Sequence, residues 1–365
     1  MANLKKLNKM LHIFKLSLPT IKMAKVGSNS RYLYKYAIAT LCFAILLAAN
    51  ILLGSVSIPA SDSIAALLGN STPDYVREII WSFRVPKAIT ALLAGLALSI
   101  CGLQMQTLFR NPLADPFILG ISAGAGLGVA LFVMGSSAFG IDISSSAYAS
   151  FGMAAAGWTG AMGITLIIMA VSSRLKDNLS LLIFGIMSGS AVTAVISLLQ
   201  YFSSSASLKS FVLWTMGSFS GLNQDQIYIL TIMVICGLAL SIYNIKDLNA
   251  LLAGETYAKS LGVNLQFTRI RILTASTLLA GSITAFCGPV GFIGIAVPHI
   301  SRMIFKNADH KVLLPATAIL GAAIMLFTDT VSQLPGHSTV LPVNTVSALI
   351  GIPVILMIIL KRKMQ

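Results

Sequence analysis

Ten apolar runs follow one another along this chain with only short polar joints between them, at 36–56, 86–108, 117–135, 148–172, 179–202, 225–244, 270–287, 291–305, 312–330 and 341–360. A bilayer core takes roughly 20 apolar residues per helix, and inside it every backbone N–H and C=O must be bonded within its own segment. The sequence therefore reads as an all-α polytopic membrane protein with ten transmembrane helices. Composition agrees: 56% of the 365 residues are hydrophobic and 10% are charged, whereas a soluble domain carries about a quarter charged residues. No polar stretch is long enough to fold separately, so 36–365 forms one membrane domain. The run 291–305 is short and holds Pro298, His299 and Arg302, as a partial or tilted helix would. The segment 208–219 reads as a short extra helix at the membrane surface.

The net charge of +14 is distributed by side rather than gathered in a patch. The N-terminal segment 1–35 holds eight basic residues and no acidic one. With that segment inside, the alternate joints on its side carry 19 basic residues in all, and the opposite joints carry three: Arg77, Arg84 and Lys209. This is the positive-inside pattern, and an even number of spans puts both termini in the cytoplasm. Segment 1–35 is expected to be a basic cytoplasmic stretch free to stay disordered. Its following apolar run exceeds the 7–15 residues usual for a signal-peptide core and reads as a true span. No basic patch with interleaved aromatics points to nucleic acid.

Nucleotide-binding and metalloprotease patterns are missing. There is no GxxxxGK[ST] loop or HExxH in the sequence, and His12, His299, His310 and His337 are scattered. The four cysteines fall inside apolar runs and read as small apolar residues, without a resident metal or disulfide. Of 11 acidic residues none lies mid-span; Asp329 comes nearest, by the end of the ninth run. A stand-alone secondary transporter of a small organic solute, the alternative reading, usually keeps carboxylates in the membrane as ion relays. The driving energy is therefore expected from another subunit.

Two stretches stand out. Arg84 to Gly128 joins two spans through the double-proline loop Arg110-Asn-Pro-Leu-Ala-Asp-Pro116 and suggests a path through the bilayer. The segment 245–269 reads as two short helices, one with Leu248, Leu251 and Leu252, the other with Glu255, Ala258 and Leu261, broken after Gly254 and ended by Gly262. Such an elbow fits a groove on a partner or rests amphipathically on lipid; the residues alone leave both open. Faint repetition links Leu119-Gly-Ile121 with Gly124 to Phe184-Gly-Ile186 with Gly189.

Four segments, in order, resemble the permease subunits of the FecCD family, the ABC importers of ferric siderophores, haem and vitamin B12. They are Arg84-x-Pro-Lys87 through Gly102-x-x-x-Gln106 to Asn111-Pro112 and Leu119-Gly-Ile-Ser-Ala-Gly-Ala125; Trp214-x-Met-Gly-Ser218; Leu248-Asn249 with Gly254-Glu255-x-x-Ala258-x-x-Leu261-Gly262; and Gly291 through Pro298-His299-x-x-Arg302, Asp309-His-Lys311, Asp329, Leu341-Pro342 and Gly351-x-Pro353. The resemblance implies a type II importer fold, working as a dimer with a homologous or identical permease. ATP and Mg bind on two separate ATPase subunits, and a periplasmic or lipoprotein binding protein delivers the cargo. It implies that Gly254, Glu255, Ala258, Leu261 and Gly262 contact the ATPase, which favours the docking reading of 245–263. It implies binding-protein contacts at Arg84 and Lys87, and structural or gating roles for Asn111, Pro112, Pro298, His299, Arg302 and Asp329. Small polar residues suit a path that must not hold its cargo, and Gln104, Gln106, Ser122, Ser188 and Ser190 are the candidates. His337, in an outer joint, is placed to touch an iron-bearing or haem cargo, but it reads first as a solvated loop histidine. The family's basic residue four after Asp329 is Gln333 here, its Glu before Leu341 is Val340, and its following Gly is Asn344.

Overall fold

The computed structural model describes residues 29–138, 149–175, 178–333 and 340–363. Among them every regular element is helical. The helices are α1 (Asn29–Leu52), α2 (Ala60–Leu67), α3 (Asp74–Leu108), α4 (Ile121–Ala138), α5 (Ala149–Ser172), α6 (Asn178–Phe202), α7 (Ser205–Thr215), α8 (Gln224–Tyr243), α9 (Ile245–Leu252), α10 (Glu255–Ser260), α11 (Leu265–Cys287), α12 (Ile293–Phe305), α13 (His310–Ser332) and α14 (Val343–Lys363). Seven are long and apolar enough to cross a bilayer, and α4, α12 and α14 supply three shorter apolar helices. These ten correspond one for one to the ten apolar runs of the sequence. The surface helix expected at 208–219 is α7, and the elbow is α9 and α10. His337 and residues 1–28 lie outside the described residues.

α3 is the axis of the fold. Almost all of it from Ala88 to Leu108 is buried, and α12 and α13 pack along it at backbone distance. A Cβ on Gly102 would fall 1.8 Å from the Gly294 carbonyl oxygen, and one on Gly95 2.2 Å from that of Gly321. Lipid tails are as apolar as leucine, so close backbone approach replaces hydrophobic exclusion as the source of affinity. α4 and α5 meet in the same way: Gly124 and Gly128 lie against Gly160 and Ala156, one turn apart on each helix. The two look-alike segments of the sequence touch each other. Gly120, at a φ of +75°, faces Gly189, and Gly185 faces Leu119.

α6 is the counterpoint. Only Leu181, Gly185 and Ile196 are buried along its 25 residues. An exposed membrane-length helix needs lipid or another protein against it.

Candidate functional site: a clamped elbow and a two-sided polar frame

The elbow projects from one face of the bundle, where α3, α5, α8 and α12 end and α6, α11 and α13 begin. Gly254 at φ +113° and Gly262 at φ +83° bracket α10 in backbone conformations that side chains disfavour, which explains glycine at both places. The inner side of the elbow is clamped by polar latches. Glu255 Oε1 accepts from Asn178 Nδ2 at 2.5 Å and from Arg269 Nη2 at 3.3 Å. Asn178, the first residue of α6, also donates to the Leu108 carbonyl at the end of α3 (2.7 Å). Asp247 accepts from Arg271 (2.5 Å) and from the Thr268 hydroxyl (3.0 Å), tying α9 to α11. Asn249 donates to Asp309 (2.7 Å) and accepts the backbone N–H of His310 (2.8 Å). That second bond fixes the amide orientation, so His310 Nδ1, 2.8 Å from the same oxygen, carries hydrogen and Nε2 is left to accept from Thr107 at 2.9 Å.

The outer side of the elbow carries three large apolar side chains beside exposed Thr256, Lys259 and Ser260. Leu252 is 43% exposed, Tyr257 53% and Leu261 58%. Ala258 is wholly buried and Gly254 is buried beneath it. Of the expected contact set, Leu261 points outward, Glu255 is half-buried and bonded to the bundle, and Ala258 is packed beneath. Tyr257 and Leu252 take their place outside. Six-residue α10 shows too little periodicity for sequence alone to choose its outer side.

Next to the elbow, the double-proline loop is built from its own side chains. Asn111 Oδ1 accepts the Leu113 N–H (3.0 Å), turning the chain after α3, and Asp115 Oδ1 accepts the Phe117 N–H (2.9 Å), capping the short turn Pro116–Leu119. Pro112 is half-buried between them. Burial pushes the Asp115 carboxyl up to about 6, against the pull of the Phe117 N–H.

Gln104 and Gln106, expected along the path, are instead buried inside the subunit. Gln104 donates to the Ser241 hydroxyl at 2.7 Å. Gln106 repairs α12. Pro298 has no N–H for the Gly294 carbonyl four residues earlier, and Gln106 Nε2 donates to that oxygen and to the Ile295 carbonyl, both at 3.2 Å. Its own oxygen accepts from Arg302 at 2.6 Å. Pro298, Gln106 and Arg302 thus form one unit holding α12 to α3, and His299 sits half-buried beside it. Replacing Gln106 with Leu should lower stability by about 1–3 kcal/mol, the cost of orphaned buried partners. Thermal unfolding in detergent checks this. Ser122 and Ser188 are half-buried, while Ser190 is exposed on α6 in line with Thr193 and Ser197. These hydroxyls donate to their own helix carbonyls at 3.0, 2.9 and 3.1 Å, offering only weak contacts outward.

On the opposite face a cleft of about 570 Å³ is edged by Arg84, Lys87, Phe219, Asn223, Gln333 and Val340. The two cations expected to meet a binding protein both line this cleft and are engaged inward. Arg84 caps the end of α1, donating to the carbonyls of Ile51 (3.0 Å), Leu52 (2.7 Å) and Val56 (2.6 Å). Lys87 lies 3.2 Å from the fully buried Asp329. Asn50 (2.8 Å) and Gln333 (2.9 Å) donate to the other carboxylate oxygen. Gln333 is thus an uncharged donor where a base would crowd Lys87. Asn344 has its own task, accepting the Gly291 N–H at 3.2 Å. Val340 stays exposed at the rim. Among the described residues, the free Lys and Arg side chains of this face are Arg77 and Lys209, both exposed.

The family model described as the FecCD transport family matches residues 41–361. The chain belongs to the FecCD transport family. Among its relatives, the vitamin B12 import system permease protein BtuC of Salmonella paratyphi A is 36% identical over 282 residues, 77% of this chain and 83% of the relative. The hemin transport system permease protein HmuU of Yersinia pestis is 34% identical over 325 residues, 88% and 96% of the two chains. A solved structure described as an inward-facing conformation of a metal-chelate type ABC transporter superposes with a TM-score of 0.77 at 28% identity, covering 90% of this chain and 99% of that one. Family membership makes the all-helical bundle a multi-pass ABC importer permease of the FecCD kind.

Proposed function

We propose that this chain is the translocating subunit of a binding-protein-dependent ABC importer, carrying a ferric siderophore, haem or cobalamin across a bacterial inner membrane by alternating access. Both termini and the elbow are then cytoplasmic. The observation that carries this reading is the two-sided elbow. Leu252, Tyr257 and Leu261 offer an apolar tip to a partner, while Glu255, Asp247 and Asn249 bind its back to α6, α11 and α13. A rigid tip fixed to several spans transmits a push rather than absorbing it. The partner is a pair of ATPase subunits that hold ATP and Mg, and hydrolysis takes place there. Asn178 joins Glu255 to the start of α6, so elbow movement reaches that helix directly.

The exposed side of α6, with Ser190, Thr193 and Ser197, faces a second permease subunit, identical or paralogous, and contributes to the path between them. A periplasmic or lipoprotein binding protein docks on the opposite face through Arg77 and Lys209. The stand-alone alternative is disfavoured by Asp329: this span carboxylate is already neutralised by Lys87.

Reconstitution tests the proposal. With the ATPase and binding protein encoded by its neighbouring reading frames, the chain should take up a chelate only when ATP and the binding protein are both present. Uptake by the chain alone, driven by an ion gradient, would establish the alternative.

A further inference from the structure

The spans α5 and α11 meet on the elbow face, one ending at Ser172 and the other beginning at Leu265. Between these ends lies a cleft of about 350 Å³ lined by Ser172, Ser173, Lys259, Asn264, Gln266 and Arg269, among others. It is about tenfold larger than the roughly 30 Å³ a water molecule occupies in the liquid. Its level is that of the headgroups, because both spans leave the hydrocarbon core there.

The cleft is made for negative charge. Among the described residues lining it, two are cations and none is a carboxylate. Arg269 is buried and held in place by Glu255 and by the Leu175 carbonyl, each at 3.3 Å, which leaves other guanidinium N–H groups free. Lys259 is exposed and, among the described residues, forms no ion pair. α11 begins at the cleft, and its first-turn N–H groups have no acceptor within the helix. Asn264 Oδ1 satisfies that of Phe267 at 3.2 Å, while Leu265 and Gln266 themselves line the cleft.

An independent observation asks for a ligand. Ser172 is 3% exposed, lines the cleft, and its hydroxyl has no hydrogen-bond partner. Nearly all buried hydroxyls are paired, and an orphan costs about 1–3 kcal/mol. A phosphate oxygen would accept its proton.

We propose that this cleft binds a phosphate-bearing anion, with the phosphate between Lys259, Arg269 and the start of α11 and hydrogen-bonded by Ser172. Basic pockets between membrane helices take phospholipid headgroups in this way, and inorganic phosphate offers the same chemistry in soluble form.

Thermal unfolding of the full chain in detergent tests the site, with phosphatidylglycerol, phosphatidylcholine or inorganic phosphate added at constant ionic strength. The wild-type Tm should rise saturably with phosphatidylglycerol if the ligand is a lipid headgroup, or with inorganic phosphate if it is a soluble anion. Phosphatidylcholine should act far more weakly. The variant Lys259→Gln/Gln266→Glu should weaken the response by about tenfold or more, since it removes one charge-assisted bond and adds a repelling charge. Ser172→Ala keeps every charge and should weaken it by a smaller factor. Unliganded Tm values near wild type show that both variants fold. The proposal is overturned if neither anion raises the Tm, if phosphatidylcholine matches phosphatidylglycerol, or if the charge variant responds like the wild type.

Discussion

Replacing Lys87 with Met is expected to cost about 3–5 kcal/mol of folding stability, the usual penalty for stripping one partner from a buried ion pair. Asp329 is fully buried; it pairs with the Lys87 ammonium at 3.2 Å and accepts from two amides, Asn50 at 2.8 Å and Gln333 at 2.9 Å. The two amides remain in the variant, but they carry no charge, so the carboxylate must either take up a proton or draw water into the helix packing. Both routes loosen the join between α1, α3 and α13. The double variant Lys87→Met/Asp329→Leu removes the desolvation cost along with the pair, and it should recover most of the loss. Unfolding in detergent measures all three forms. If the double variant is no more stable than the single one, the two charges do not depend on each other and the frame described for this face is wrong.

Gly102→Ala should be the second severe change. The added methyl would fall 1.8 Å from the Gly294 carbonyl oxygen and 2.5 Å from its carbon. The obstacle is the backbone of α12 rather than the end of a flexible side chain, so the whole helix has to move. That motion also pulls the Gly294 carbonyl away from Gln106, reopening the gap left by Pro298. Overpacking of this kind costs typically about 1–3 kcal/mol, and this site should lie at the upper end. Gly163→Ala is the matched control. Nothing lies within 4 Å of its Cβ position, and the substitution should be neutral or stabilising by up to about 1 kcal/mol. Equal losses from both would mean that α3 and α12 are not in backbone contact.

The spans were legible because hydropathy is a local property: each run of apolar residues became one helix, and Gly254 and Gly262 marked the elbow. Inward and outward were not legible, because they depend on partners distant in sequence. Arg84 looked like a free outer charge, yet its acceptors are carbonyls about 30 residues earlier, in a helix end that hydropathy does not draw. Asn50 pairs with Asp329 from 279 positions away. It had a signal, a lone amide near the end of an apolar span, which usually means a buried partner. Gln104 and Gln106 are path candidates in the sequence because uncharged polar groups hold cargo only weakly. Pro298 gave the better reading: a proline inside a helix frees a carbonyl, and some donor must answer it.

The central claim is that force enters through the outer tip of the elbow. Its most direct test is a cysteine at Leu261, introduced with Cys42→Ser and Cys236→Ser to remove the two exposed native thiols, in the complex assembled with its ATPase. The account predicts a disulfide or short-linker cross-link from position 261 to the nucleotide-hydrolysing subunit, with a yield that changes when ATP is added. A thiol at 261 that reacts only with reagents applied from outside the cell, or that joins no ATPase subunit in any nucleotide state, would contradict it.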